Sequence, residues 1–215
     1  MNRDKEFHLF ISSLDDDITI GKNHLIDDLP GIFTAPDFLY FFALRDYFWA
    51  DVKIEERLMI SVAMAECYLS ALLHISSGEY HFDETNHHLE HCILYGDLLS
   101  GAFSEKLILM NRVDMLEKWL NLLQDINKEL LSFSLEGKST LEKKVCLVEH
   151  LIAALTKPED TEKLVENARQ LLVENTVPKE DQLFSDKNKS FFASVMGEPW
   201  TSAQDLKTLR EQVNP

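Results

Sequence analysis

The residue types best suited to binding a metal ion are concentrated near position 88. His87 and His91 stand four residues apart, His88 and His91 stand three apart, and Glu84 precedes His87 by three. On a helix these spacings place several possible ligands on neighbouring faces. A carboxylate di-metal bundle also needs a Glu-x-x-His on each of two helices and two further Glu residues, whereas the sequence supplies Glu84-x-x-His87 alone. Two interpretations stay open, a metal site and the exposed polar first turn of a helix, and the incomplete ligand set favours the second.

A second candidate is the acidic triplet Asp15-Asp16-Asp17, whose carboxylates are the ligands that Mg²⁺ prefers. It lies in a polar segment that also contains Gly21, well before the most apolar part of the chain, and no second acidic motif is placed to face it. We therefore expect solvated surface rather than a magnesium site. The sequence also contains no nucleophile elbow, phosphate-binding loop or dinucleotide-binding fingerprint.

The most specific pattern lies between Val62 and Phe103. It consists of two apolar stretches joined by a short polar insert, which read Glu66-Cys67-Tyr68-Leu69-Ser70-Ala71-Leu72-Leu73-His74-Ile75-Ser76-Ser77 and Leu94-Tyr95-Gly96-Asp97-Leu98-Leu99-Ser100-Gly101.

This pattern resembles the trans-prenyl diphosphate synthase family. In that family a helix beginning near a Glu runs into a His followed by the magnesium motif Asp-Asp-x-x-Asp, and the next helix opens with an apolar-Gly-Asp-apolar-apolar signature. Counted from Glu66, the three aspartates should fall at positions 76, 77 and 80, where this chain has Ser76, Ser77 and Tyr80. The resemblance therefore implies a degenerate first aspartate motif.

The substitution matters because prenyl transfer ionises an allylic diphosphate, and magnesium ions held by carboxylates neutralise that leaving group. Serine hydroxyls are neutral and bind a hard dication weakly, and each ~1.36 kcal/mol of lost transition-state stabilisation slows a reaction about tenfold. Other parts of the family's site are also missing. Residues 80–89 hold no Arg or Lys, residues 145–154 hold no Lys-Thr pair, and residues 204–207 supply one Asp for the second aspartate motif.

The resemblance extends over roughly residues 50 to 155 and is greatest to the small, non-catalytic component of two-part synthases, such as heptaprenyl diphosphate synthase component 1. It implies a regulatory, cytoplasmic subunit with no cofactor of its own, which pairs as a heterodimer or larger assembly with a catalytic subunit that binds magnesium. The implied product is a prenyl diphosphate for menaquinone tails. The implied pairing uses helices at about 87–110 and 113–134. Candidate interface and signature residues are Leu94, Gly96, Asp97, Leu98, Ser100 and Gly101.

Other interpretations of this stretch remain open. Gly96 and Gly101 each cost roughly 1 kcal/mol of helix propensity compared with Ala. Either another helix approaches closely at these positions, or the two glycines are simply tolerated small residues. The aromatic segment from Phe38 to Trp49 fits an isoprenoid channel or, preferably, core packing. The alternative function is a helical interaction or scaffold protein with no role in prenyl transfer.

Composition narrows the classes of function. The chain has 215 residues and a formal charge of −16. This charge argues against nucleic-acid binding, because no basic stripe offsets the repulsion of the phosphates. Three widely spaced cysteines, Cys67, Cys92 and Cys146, indicate buried free thiols in a reducing cytoplasm. No signal peptide is visible, and the lack of an uninterrupted apolar run near 18 residues predicts no transmembrane segment.

Helical spacing of apolar residues and sparse Gly and Pro predict an all-α protein. The resemblance implies a single-domain helical bundle similar to a reduced isoprenoid synthase fold. We divide it into an acidic N-terminal segment (1–35), a bundle core (36–176) and a polar C-terminal segment with short helices (177–215). A short helix is expected near Glu6 to Leu14, with a loop over Asp15 to Gly31. Further helices are expected from about Ile54 to Ser76, from Asp83 or Thr85 to Met110, from Asp114 to Leu135, from Ser139 or Thr140 to Thr156, from Pro158 to Asn175, and from Ser202 to Val213.

Overall fold

The computed structural model describes residues 3–20, 41–42, 52–77, 88–135, 140–155, 162 and 164–166. These residues form five α-helices and, over the same ranges, no strand, so the all-α prediction is confirmed. The helices are α1 (Arg3–Ile20), α2 (Ile54–Ser77), α3 (His88–Leu109), α4 (Val113–Leu135) and α5 (Thr140–Leu155).

Helix α2 is the centre of the described bundle. Every residue from Ile60 to Leu73 is buried, and α2 contacts each of the other four described helices, most extensively α3. A helix that is apolar on most of its faces must be enclosed in this way to remove those faces from water. Glu55 and Glu56 in its first turn oppose the positive end of the helix dipole. The span predicted from the sequence, Ile54 to Ser76, ends one residue before the observed end of the helix at Ser77.

The same helix qualifies the expectation that no segment could span a membrane. By length and composition the stretch Ile54–Ile75 is apolar enough to cross one, with a mean hydropathy of 1.7 over its best window. Within the described structure 89% of that window is buried among the other helices. The core helix of a folded bundle can have the same length and apolar composition.

Helix α3 ends in a Schellman motif that reverses the chain into α4. The Arg112 N–H donates to the Leu107 carbonyl at 2.8 Å, and the Asn111 N–H donates to the Ile108 carbonyl at 2.9 Å. Asn111 has a φ of 55°, the left-handed conformation that this motif requires and that Asn adopts more readily than most residues. The short turn therefore makes α3 and α4 a helical hairpin.

The first helix corrects one prediction. Sequence analysis ended it at Leu14 and assigned Asp15 to Gly31 to a loop, whereas α1 continues through the acidic triplet to Ile20. Four buried apolar side chains, Phe7, Phe10, Ile11 and Leu14, anchor the helix. Once anchored, it gains one backbone hydrogen bond per added residue, and no Gly or Pro interrupts it before Gly21.

The aromatic segment contributes to the core where it is described. Phe41 and Phe42 are buried, Phe41 lies 4.9 Å from the Tyr68 ring, and Phe42 lies 4.9 Å from the Phe7 ring in an edge-to-face arrangement. These contacts fit core packing for these two residues. The rest of the segment from Phe38 to Trp49 lies outside the described residues.

The remaining boundaries agree or fall outside the description. α4 and α5 begin and end within one residue of their predictions. The predicted cap residues Asp83 and Thr85, the boundaries of the three segments at 35/36 and 176/177, and the last predicted helix lie outside the described residues. Residues 162 and 164–166, within the predicted helix from Pro158, are helical, and Leu164 and Val165 are buried.

Candidate functional site

A row of polar side chains crosses the apolar contact between α2 and α3. Glu66, Ser70 and His74 follow one another at intervals of four residues, so they lie on one face of α2. On α3, Glu66 contacts Lys106, Ser70 contacts Ser100 and the Gly96 carbonyl, and His74 contacts Asp97. Going along α2 toward its C-terminus, the contacts thus move toward the N-terminus of α3. The two helices are therefore antiparallel, and we call these seven residues the polar seam.

At one end of the seam is a buried ion pair. Lys106 Nζ lies 2.8 Å from Glu66 Oε1, and the two side chains are only 9% and 0% exposed. Charges removed from water need a close partner of opposite sign, because the desolvation cost of either one alone is several kcal/mol. The pair fixes how α2 and α3 are aligned along their axes.

The neighbouring thiol is chemically inert in this environment. Burial raises the pKa of Cys67, and the negative charge of the adjacent Glu66 raises it further. The side chain therefore stays a protonated thiol, which is a poor nucleophile and a poor metal ligand. Burial likewise raises the pKa of the Cys92 thiol.

The middle of the seam is a hydroxyl chain. The Ser70 hydroxyl donates to the Gly96 carbonyl at 2.7 Å, and its oxygen lies 2.7 Å from the Ser100 hydroxyl oxygen. Because Ser70 has a single hydroxyl hydrogen, which goes to the carbonyl, the Ser100 hydroxyl donates to Ser70. The helices thus exchange hydrogen bonds without any charged group at this level.

At the other end of the seam, the imidazole ring of His74 lies directly against the backbone of α3. A Cβ atom added to Gly96 would stand 2.6 Å from His74 Nε2, which no real Cβ contact tolerates. Nε2 also lies 3.5 Å from Asp97 Oδ1, with the two side chains 32% and 69% exposed. Gly96 is therefore the residue that lets the ring approach, whereas a Cβ at Gly101 would meet nothing within 4 Å.

The structure separates the six predicted signature residues into two sets. Gly96 and Ser100 point toward α2 and belong to the seam. Leu94 is 62% exposed, Gly101 is exposed, and Leu98 is half-buried against the core. Asp97 reaches the seam through His74 although most of its side chain meets solvent. Only part of the signature is therefore available to a partner.

Sequence analysis missed the Glu66–Lys106 pair and the role of Ser70. The available signal was the repetition of polar residues at intervals of four on a helix that is otherwise apolar.

The positions predicted to hold a degenerate aspartate motif are only partly described. Ser76 and Ser77 form the C-terminal end of α2, their side chains are not described, and Tyr80 lies beyond the described part of the chain.

The histidine cluster is also only partly described. His88 is the first residue of α3 and His91 lies in its first turn, but neither side chain is described, so both interpretations of the cluster stay predictions. Glu84 and His87 lie outside the described residues. Among the residues that the structure does describe, no group of three or more His, Cys, Asp or Glu side chains could hold a metal ion.

A further cysteine and histidine pair does not form a nucleophilic dyad. His150 Nδ1 lies 2.9 Å from the Cys146 carbonyl oxygen and 3.5 Å from its sulfur. A carbonyl oxygen can only accept, so Nδ1 carries the proton and cannot remove one from the thiol. The arrangement is a local contact across one turn of α5.

No family model matches the chain, and no curated protein and no solved structure matches it either. The described residues hold a seam of polar side chains, buried at its Glu66–Lys106 end, that aligns α2 with α3.

Proposed function

We propose that this chain is the regulatory, non-catalytic subunit of a heteromeric trans-prenyl diphosphate synthase that makes a medium or long prenyl chain. The observation that carries the proposal is the α2–α3 pair. Gly96 and Ser100 of the signature pack on His74 and Ser70, while the positions of the first aspartate motif hold Ser76 and Ser77. A close α2–α3 pair that carries the signature, together with neutral hydroxyl side chains that bind magnesium weakly, supports the proposal.

Such a subunit acts by binding. If it binds the active arrangement of a catalytic partner more tightly than other arrangements, it raises activity with no side chain of its own entering the reaction. The partner carries both aspartate-rich motifs and the magnesium ions, and condenses isopentenyl diphosphate with an allylic diphosphate. The assembly is a cytoplasmic heterodimer or larger, and menaquinone tails are the product use that the resemblance implies.

The test is reconstitution from purified components. The chain alone is expected to form no prenyl diphosphate with magnesium and both substrates. A catalytic subunit from the same genome is expected to gain activity when the chain is added at equal concentration. Magnesium-dependent condensation by the chain alone would contradict the non-catalytic role. A partner equally active with and without the chain would contradict the regulatory role.

The second candidate is a helical interaction or scaffold protein unconnected with prenyl transfer. It is favoured by the exposed apolar side chains of the α3–α4 hairpin, which any helical partner could cover. The two candidates differ in the reconstitution assay, because a scaffold protein leaves prenyl transfer unchanged.

A further inference from the structure

The α3–α4 hairpin carries an apolar surface that the described helices leave uncovered. Leu94, Gly101 and Ile108 repeat every seven residues along α3, which keeps them on one side of the helix with a drift of only ~20° per repeat. Val113 and Leu120 repeat in the same way along α4. We call the exposed set the outer hairpin face, which comprises Leu94, Gly101, Ile108, Leu109, Val113 and Leu120.

The exposure of these side chains is large for apolar residues. Leu94, Ile108 and Leu109 are 62%, 57% and 77% exposed, and Val113 is 56% exposed. Ile108 and Leu109 end α3 and Val113 begins α4, so the three exposed side chains lie close to the three-residue turn between the helices. Clustered exposed side chains of this kind mark interaction surfaces, whereas scattered ones do not.

Gly101 gives an independent indication of close contact. It stands mid-helix, where glycine is among the least favourable residues. No contact among the described residues requires it, since a Cβ at this position would meet none of their atoms within 4 Å. The His74 ring accounts for Gly96, whereas no described residue accounts for Gly101 in the same way. A glycine on an exposed helix face allows the backbone of another helix to approach, as small residues do at helix contacts.

The charges around this face select the partner. Asp97 and Glu105 are exposed on the same side of α3, and Glu117 is exposed on α4. Among the described exposed residues of α3 there is no Lys or Arg, and the whole chain carries a formal charge of −16. A second copy of the chain would bring the same acids against one another, which disfavours self-pairing.

We propose that the outer hairpin face docks a different protein, one that presents an apolar helix flanked by Lys and Arg residues. This inference rests on the proposed function, under which that protein is the catalytic prenyl synthase subunit. Gly101 receives the closest approach of the partner helix. Leu94 and Ile108 supply apolar contacts on either side of it, and Asp97 and Glu105 pair with the basic flanks.

The experiment measures binding and activation of the purified catalytic subunit by three variants of the full chain. Leu94→Glu with Ile108→Glu introduces negative charge into the outer hairpin face. Gly101→Leu blocks the close approach of the partner helix, and Glu105→Lys reverses the charge of one flanking residue. Each is expected to raise Kd about tenfold or more. The matched control is Leu9→Glu on α1, a comparable change at a leucine that is 43% exposed, which is expected to leave Kd unchanged.

Gly101→Leu separates docking from folding. In the lone chain the substitution replaces a poor helix former in open space, so the Tm is expected to rise while affinity for the partner falls. A substitution that merely damaged the fold would lower both. Circular dichroism of all variants identifies any that fail to fold, and Gly101→Leu then serves as the decisive one.

Three outcomes would overturn the inference, and each has a distinct meaning. If the wild-type chain binds and activates the partner and the three variants do so equally well, the outer hairpin face is not the docking surface, while the proposed function stands. If wild-type chain neither binds nor activates, the proposed function fails and the surface proposal fails with it. If light scattering shows the lone chain to be a dimer that Gly101→Leu dissociates, the occupant is a second copy.

Discussion

The Glu66 carboxylate and the Lys106 ammonium group form an ion pair in which both side chains are nearly sealed from water. Their separation of 2.8 Å and near-complete burial mean that neither charge can be solvated if the other is removed. A pair of this kind adds little net stability compared with two apolar side chains, but breaking it is costly. Its value lies in register, because a one-turn slip of α2 along α3 would bury both charges unpaired.

Removing one member of the pair should therefore be much worse than removing both. Lys106→Met alone is expected to lower the unfolding free energy by about 3–5 kcal/mol, whereas Glu66→Leu with Lys106→Met is expected to restore most of that loss. Urea denaturation followed by circular dichroism measures both values. The matched control is Lys128→Met, whose partner Asp125 and own side chain are 72% and 76% exposed, so a change of less than about 1 kcal/mol is expected. A double variant no more stable than Lys106→Met would contradict the argument.

At the scale of elements, periodicity predicted most of what is described, and its failures have physical causes. The spans of α2, α4 and α5 follow from apolar spacing and from the polar segments between them, so their ends agree within one residue. α1 was ended too early because a run of Asp suggests a loop when the buried face that holds the helix cannot be seen. Tertiary burial of Phe7, Phe10 and Leu14 outweighed that local preference.

The site was harder to predict than the helices. The sequence located the signature but could not say which of its residues face inward, because a helix apolar on most sides has no distinct polar face to orient it. Gly96 and Gly101 look alike in the sequence, yet one receives the His74 ring and the other faces open space. Lys106 was missed because nothing in α3 alone shows that its ammonium group meets a carboxylate of α2.

The close approach of α2 and α3 at Gly96 can be measured as a coupling energy. In a His74→Ala background, Gly96→Ala is expected to stabilise the chain by about 1 kcal/mol, because Ala is the better helix former and the ring is gone. In wild type the added Cβ displaces the ring, so the gain should vanish or reverse. The four variants form a double-mutant cycle with an expected coupling of about 0.5–3 kcal/mol.

Gly101→Ala is the control for that cycle. Since a Cβ there contacts nothing, the substitution should stabilise the chain by about 1 kcal/mol in both backgrounds. Equal effects of Gly96→Ala with and without the histidine ring would show that Gly96 does not serve the contact, and the α2–α3 approach would need another explanation.

The whole molecule combines an apolar central helix with a strongly acidic composition. α2 is enclosed by the other described helices, and the full chain carries a formal charge of −16, so its like charges repel one another. Such repulsion opposes folding and self-association but favours encounter with a basic partner. The same composition thus discourages homodimers of the outer hairpin face and assists a heteromeric contact.

Self-repulsion also predicts how the lone chain responds to salt. Raising NaCl from about 10 mM to about 150 mM shortens the Debye length from about 30 Å to about 8 Å, so repulsion between distant carboxylates weakens and the Tm should rise. The buried Glu66–Lys106 pair is screened little and should not offset the gain. Asn in place of Asp15, Asp16 and Asp17 removes three negative charges, so this variant should start at a higher Tm in low salt and gain less from added NaCl. A Tm that falls with salt in wild type would mean that attractive ion pairs, rather than net charge, dominate the electrostatics of this protein.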